Sequence, residues 1–559
     1  MNNALIRRHI LQADPINKTT RVSLKMGVKT MNINRRNILD FLTKPFYVGL
    51  LPIVPTLIVY YSNLNRLTLK HCILSSIILL AFYLAINFTI FYFVSIFSEK
   101  FKYKIFPIIA VTFIILLLPL FVNNAEPYFY LSVILILVFC FVITMYSETE
   151  KFISVFLNTL TISIVFQLAI SISISPIWEK RSEIEKITNK AFNSNVDFET
   201  TYDLTEKYDD KRDIYYLIFD RYARADVLNH IYKYDNSKFL SELKLRGFTV
   251  LDNSFANYQR TTHSLISSLN FSYLDPIEND ITLGSSDWVP LYKMLNESKI
   301  IRFLKLKNYQ IYHFGSWWEP TRQNPNADYS FNWYDMPEVL RVIYENSFIL
   351  TAVRIIGIKK LDPRWMQYQR SNLMFEKIRN LKKGKPKFIF AHFLLPHPPF
   401  VTHETGRFMS IAEAEKRTRK DNYIGQIKHL NKKIIDLIDS ILNNSRTKPI
   451  IILQSDEGPW PKEFAGEEIK KLGRDVTSVK WSRVDKKILK EKLGIFAAIS
   501  LPDKNINLPN DTSPVNIFRV VLKNYFGLKM KYLSNRILIF EDNKNLYRFI
   551  DVSEVLATE

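Results

Sequence analysis

Between Phe46 and Ile177 the chain alternates long apolar runs with short polar breaks, and nothing else in it restricts the fold as much. A helix crossing roughly 30 Å of hydrocarbon needs about 20 apolar residues. Five stretches meet that need, approximately 46–62, 72–97, 105–122, 128–146 and 152–176. Pro52 and Pro55 interrupt the first, which a membrane helix tolerates when neighbours satisfy the freed carbonyls. No Asp, Glu, Lys or Arg sits near the middle of any stretch, which argues against an ion pathway and hence a transporter. The expectation is a transmembrane bundle of about five helices over residues 38–178, after a basic tail at 1–37.

Placement of Lys and Arg sets the expected orientation. The tail carries Arg7, Arg8, Lys18, Arg21, Lys25, Lys29, Arg35 and Arg36 against one acid, Asp14. The loop after the second stretch adds Lys100, Lys102 and Lys104, while the loop at 123–127 has no basic residue. The loop after the first stretch, with Arg66 and Lys70, points weakly the other way. The balance puts the N-terminus in the cytoplasm. An odd number of spans then puts everything after Trp178 on the opposite face of the membrane.

The net charge of +21 does not imply nucleic acid. Up to Trp178 there are 15 Lys/Arg against 6 Asp/Glu, so +12 is left for the other 381 residues, with no dense basic block. Anionic lipid or an anionic substrate accounts for that surplus equally well. The two cysteines, Cys72 and Cys140, both lie in apolar runs, so neither disulfide nor thiol chemistry operates beyond them.

Residues 179–211 read as a helical connector (179–190) and a polar linker. From 212 to 559 short apolar runs alternate with helical patterns: DIYYLIFD (213–220), KFIFAHFLL (387–395), PIIILQSD (449–456) and GIFAAIS (494–500). Brief apolar runs with polar or Pro/Gly borders are what buried strands of a parallel sheet look like. The amphipathic segment 424–442 is a covering helix. This alternation predicts a layered α/β fold, with ligands beyond the carboxyl ends of the strands. Asp220 and the pair Asp456–Glu457 stand at such ends. Singly, each acid reads as a turn or cap residue. Together they make a hard-cation site.

The segments DIYYLIFDRYARADVL (213–228), NYQRTTHSLISSLN (257–270), FAHFLLPHPPF (390–400), ILQSDEGP (452–459) and SPVNIFRVVLKNYFG (513–527) resemble the sulfatase-like branch of the alkaline-phosphatase superfamily. More narrowly they resemble its membrane-anchored bacterial members, a group that includes lipoteichoic acid synthases and lipid A phosphoethanolamine transferases. The resemblance implies an α/β domain with a central, mostly parallel sheet, held outside the cytoplasm by a multi-pass anchor in the bacterial cell membrane. It implies one divalent metal ion held by Asp220, Thr261, Asp456 and Glu457, with Thr261 as nucleophile and His397 contacting the transferred group. Glu457 stands where the family usually has His, which favours Mn²⁺ or Mg²⁺ over Zn²⁺ or Ca²⁺. Arg221 stands where a small residue is usual. Arg224, His313 and Ser316 are candidate substrate contacts, and His392 reads as a packed strand residue.

The segment Thr-Thr-His-Ser-Leu (261–265) offers neither the Cys/Ser-x-Pro-x-Arg of a formylglycine sulfatase nor its cysteine. Thr261 is preferred to Thr262 because its spacing to Ser264 matches the transferase pattern, although either hydroxyl also suits a helix N-cap. The implied activity is transfer of a phosphoglycerol- or phosphoethanolamine-type group from a phospholipid donor to an envelope glycan or lipid. The alternatives are a phosphate- or sulfate-ester hydrolase on the same scaffold, and a catalytically inactive membrane scaffold.

Overall fold

The computed structural model describes residues 43–97, 104–121, 150–193, 211–278, 284–461, 479–503 and 506–557. The N-terminal part contains helices α1 (Ile53–Ser62), α2 (Leu69–Phe97), α3 (Ile105–Phe121), α4 (Glu150–Ser173) and α5 (Ile177–Asn193). Among the described residues, two helical stretches are long and apolar enough to cross a membrane, Leu69–Phe97 and Lys151–Lys190. They turn large apolar side chains outward, with Phe88 72%, Phe97 83% and Phe152 73% exposed. Such a surface is costly in water and costs nothing in lipid.

The expected stretch 46–62 is not one helix. A single turn, Tyr47–Leu50, stops short of Pro52, and α1 starts beyond it, because proline has no N–H to continue the ladder. Asn158 on α4 satisfies backbone groups at this start: its Oδ1 accepts from Tyr47 N and its Nδ2 donates to Lys44 O, both at 2.7 Å. With 10 residues, α1 is about 15 Å long. With 17 residues, α3 is about 25 Å long. As described, α1 is shorter than a spanning helix, and α3 stands at the lower end of the range that spans. The stretch 128–146 lies outside the described residues.

Among the described residues the main sheet of the C-terminal domain has seven strands: β1 (Ile214–Phe219), β2 (Thr249–Val250), β3 (Gln310–Phe314), β4 (Tyr329–Phe331), β5 (Lys387–Phe393), β6 (Ile450–Gln454) and β7 (Ala497–Ser500). Their order is β2-β7-β6-β1-β5-β3-β4. The run β6-β1-β5-β3-β4 is parallel, and β7 lies antiparallel to both β6 and β2. The mostly parallel sheet expected from the four apolar runs is therefore present, with one strand reversed. β1, β5 and β6 are buried at every position, because apolar clusters cover both faces of the sheet. The helices that matter for the site are α6 (Thr261–Asn270), α7 (Glu338–Glu345), α8 (Phe348–Ile356), α9 (Pro363–Arg379), α10 (Arg419–Asn444) and α11 (Lys486–Leu493).

The two parts are clamped together. Arg181 on α5 grips Asp287 through two bonds of 2.6 and 3.0 Å and also donates to the carbonyl of Leu64. Trp288 N donates to Asn65 O at 2.7 Å, and His71 Nε2 lies 3.1 Å from Glu319. Val339 and Ile343 of α7 complete an apolar cluster with Val59, Tyr60 and Leu64.

Candidate active site

Parallel strands place the residues that follow them on one rim of the sheet. β6, β1 and β5 are neighbours, with Ile218 of β1 in register with His392 on one side and Gln454 on the other. Asp220 lies just past the end of β1 and Asp456 two residues past β6, so both acids reach the rim where His392 sits. Ser455 fixes the two loops together: its hydroxyl accepts from Tyr222 N at 2.9 Å and donates to Glu457 O at 2.7 Å. Arg221 holds a left-handed backbone with φ 64°, an uncommon state for a residue with a Cβ, and this turns its side chain toward Glu457.

One ligand atom each from Asp220, His392 and Asp456 lies within 4.8 Å of the others, and all three residues are buried. Among the described residues Asp220 Oδ1 and His392 Nε2 have no hydrogen-bond partner, and the Asp456 carboxylate has only the Thr261 hydroxyl within reach. Orphaned buried acceptors are expensive unless something binds them. Burial, together with the Asp220 and Glu457 carboxylates, pushes Asp456 up to about 7. Against the same burial, His397, His392 and Arg221 hold Asp220 well below the usual carboxylate range. Two carboxylates and an imidazole with free lone pairs fit a divalent cation.

His392, which reads from the sequence as a packed strand residue, thus faces the site, with Nε2 3.6 Å from Asp220 Oδ2. Its Nδ1 bonds Thr321 Oγ1 at 2.8 Å, which fixes the ring and aims Nε2 at the acids. Glu457 takes a different position from the one the resemblance implies. Its Oε1 is 2.7 Å from Lys492 Nζ and 3.0 Å from Arg221 Nε. Against the upward push of burial, these two cations hold its carboxyl below the ordinary value, while burial draws the Lys492 ammonium down to about 8. The Asp-Glu-Gly sequence makes this pairing possible. A Cβ on Gly458 would lie 2.2 Å from Glu491 O, so only glycine lets the loop pass the end of α11 closely enough. Gly458 N then bonds Lys492 O at 2.8 Å.

Thr261 is the first residue of α6 and half-buried, whereas Thr262 is 1% exposed. A cavity of about 220 Å³ opens over them, lined by Asp220, Arg221, Arg260, His397, Glu457 and, from the N-terminal part, Arg66, among others. Arg260 stacks over Trp460 at 4.5 Å, and Lys492 and Arg221 approach the same indole at 4.8 and 5.7 Å. An anion entering the cavity meets Arg66, Arg221 and Arg260, of which Arg221 is already paired with Glu457. His397 also lines it, its Nδ1 donating to the Pro398 carbonyl. Burial and Arg221 pull this imidazole down to about 4.

The three candidate substrate contacts fall outside this lining. Arg224 pairs with Asp226 at 2.7 Å and packs on Phe255. His313 Nε2 donates to Thr321 O at 2.8 Å, and Ser316 Oγ bonds Thr321 Oγ1 at 2.9 Å. His313 and Ser316 therefore stand behind the cavity, around the threonine that orients His392. Sequence reasoning missed Lys492, Arg260 and His392. Only His392 carried a local signal, a polar residue in an otherwise apolar strand.

A family model described as Sulfatase matches residues 212–490. Residues 212–490 therefore form a domain of the sulfatase family, an enzyme domain of the sulfatase-like hydrolase/transferase type. Among solved structures it is similar to the C-terminal periplasmic domain of EptC from Escherichia coli. That match has 12% identity and a TM-score of 0.39, over 62% of this chain and 94% of that one. It is also similar to the lipoteichoic acid synthase LtaP from Listeria monocytogenes, with 13% identity and a TM-score of 0.36, over 62% of this chain and 78% of that one. No curated protein matches the sequence.

Proposed function

We propose that the chain is a membrane-anchored, extracytoplasmic transferase that moves a phosphoglycerol- or phosphoethanolamine-type group from a phospholipid to an envelope glycan or lipid, through a covalent ester on Thr261. The observation that carries this reading is the position of the Thr261 hydroxyl. It sits at a helix N-terminus, within reach of Asp456, and lines one cavity with Asp220, Arg221 and Arg260.

Asp220, His392 and Asp456 would hold one divalent cation, and a set with one imidazole suits Mn²⁺ or Zn²⁺ better than Mg²⁺ or Ca²⁺. Bound there, it would lower the pKa of the Thr261 hydroxyl and neutralise phosphate oxygens. Thr261 Oγ bonds to phosphorus as the bond to the diacylglycerol oxygen breaks, and the hydroxyl proton leaves with that oxygen. The α6 N–H groups and Arg260 stabilise the charge that develops. In the second half-reaction an acceptor hydroxyl attacks phosphorus, the ester oxygen returns to Thr261, and a proton passes from acceptor to threonine. His397 suits this relay. With Nδ1 engaged by Pro398 and the ring neutral, Nε2 is an acceptor. With water as acceptor the same steps make a hydrolase, which the Sulfatase match also fits.

The test is intact mass of the full-length protein after incubation with isotope-labelled phosphatidylglycerol and phosphatidylethanolamine. An adduct on Thr261 with release of diacylglycerol is expected. It should be absent in Thr261→Ala, which should lose several orders of magnitude of turnover while keeping its melting temperature. A fully active Thr261→Ala protein refutes the mechanism. Product analysis with and without a glycan acceptor separates transfer from hydrolysis.

A further inference from the structure

Arg66 belongs to the loop between α1 and α2, yet it lines the catalytic cavity of the other domain. This loop does not drift there by chance. Asn65 O accepts from Trp288 N at 2.7 Å, Asn65 Nδ2 donates to Ser286 O at 3.1 Å, and the buried Arg181–Asp287 pair holds Leu64 beside it. Among the described residues no carboxylate pairs with Arg66, whereas Arg221 and Lys492 are both committed to Glu457. Arg66 also breaks the charge rule that orients the bundle, since its loop lies on the side of the catalytic domain. Arg66 thus lines the cavity from the disfavoured side, exposed to solvent, with Glu338 in electrostatic reach and no ion pair among the described residues.

The loop also fixes the height of the cavity. Arg66 lies three residues before Leu69, where the 29-residue apolar helix α2 begins. Three residues of extended chain reach at most about 10 Å, so if α2 begins at the membrane surface the cavity mouth lies within the depth of the headgroup layer. A separate contact agrees with this. α8 packs on the apolar helix α3 and leaves Ile355 and Ile356 exposed at 81% and 71%, an apolar edge next to a membrane-domain helix.

We propose that Arg66 is a substrate-binding residue supplied by the membrane domain, engaging the phosphate of a phospholipid headgroup, so that the catalytic cavity is complete only with the N-terminal helices in place. The proposal deepens the transferase reading and rests on it for the nature of the donor. A guanidinium grips a phosphate through paired N–H bonds, and one at the cavity mouth selects a phosphate presented at the bilayer surface.

The test is ligand binding to full-length protein in nanodiscs of neutral lipid, read by tryptophan fluorescence, since Trp288, Trp317 and Trp318 line the cavity. The probes are monomeric dihexanoylphosphatidylglycerol and inorganic phosphate. Arg66→Ala should weaken the lipid about tenfold or more. Arg66→Lys should weaken it less, and Lys70→Ala, in the first turn of α2, should leave it unchanged. Unchanged lipid affinity in Arg66→Ala overturns the proposal. So does a loss confined to inorganic phosphate, which would make the site one for the free anion, or a wild-type protein that binds no lipid. Because binding is read without turnover, a protein that binds lipid through Arg66 but forms no threonine adduct would sink the transferase mechanism and leave this role standing.

Discussion

Replacing Lys492 with methionine isolates the largest departure from the family pattern, the Glu457 side chain. Lys492 has 0% side-chain exposure and Glu457 2%, with 2.7 Å between Nζ and Oε1. Methionine keeps most of the stem volume and removes the charge. Deleting one partner of a buried pair costs about 3–5 kcal/mol, because the other is left without compensation. Arg221 remains 3.0 Å from Glu457, so the low end applies, about 3 kcal/mol. Unfolding entropy of about 2.1 cal/mol/K per residue over a domain of about 350 residues is roughly 0.7 kcal/mol/K, so the melting temperature should fall by about 4 °C. Glu457→Gln should cost less, since burial already draws Lys492 to about 8 and the amine can shed its proton. The double variant Lys492→Met/Glu457→Gln should be more stable than Lys492→Met alone. A double-mutant cycle by differential scanning fluorimetry of the purified full-length protein measures this coupling, with about 2 kcal/mol expected. If Lys492→Met melts with the wild type, or if the single effects simply add, Glu457 is not neutralised by Lys492 and the reasoning fails.

Metal analysis of purified variants separates ligands from neighbours: Asp456→Asn and His392→Gln should lose most of the bound divalent metal, while Glu457→Gln should keep it. Stability should also depend on pH through His429 on α10, which does not line the catalytic cavity. Burial beside Lys433 and Lys432 lowers this imidazole to about 4, so the fold holds it neutral. The stability it permits is complete above the unfolded value near 6.5 and is lost as pH falls from there toward 4, at up to about 1.4 kcal/mol per pH unit. His429→Gln should reduce the slope of that part of the melting-temperature profile, leaving the share of the buried His263, His313 and His397. A reporter enzyme active only in the cytoplasm, fused after Glu559, should be silent if the catalytic domain is extracytoplasmic.

Four strands and two of the three clustered ligand residues were legible in the chain, because each is a local pattern. An apolar run bounded by polar residues marks β1, β5, β6 and β7, and an acid past the end of a run marks Asp220 and Asp456. β3 and β4 were not legible. Gln310–Phe314 alternates buried and partly exposed residues, and Tyr329–Phe331 is an exposed three-residue edge, so neither stands out from its surroundings.

What the sequence by itself determined is hydrophobic patterning: an apolar N-terminal third made for lipid, an α/β domain after it, and carboxylates at the rim of its sheet. Each follows from free energies set by residues close together in the chain. Only the tertiary structure decided which charge meets which. Lys492 reaches Glu457 across 35 positions, His392 reaches Asp220 across 172, and Arg66 reaches the cavity from another domain. Coulomb energy depends on separation in space and on burial, and neither is written in the local sequence. The residue that the family pattern marks as a metal ligand therefore became half of an ion pair once the fold brought a buried lysine beside it.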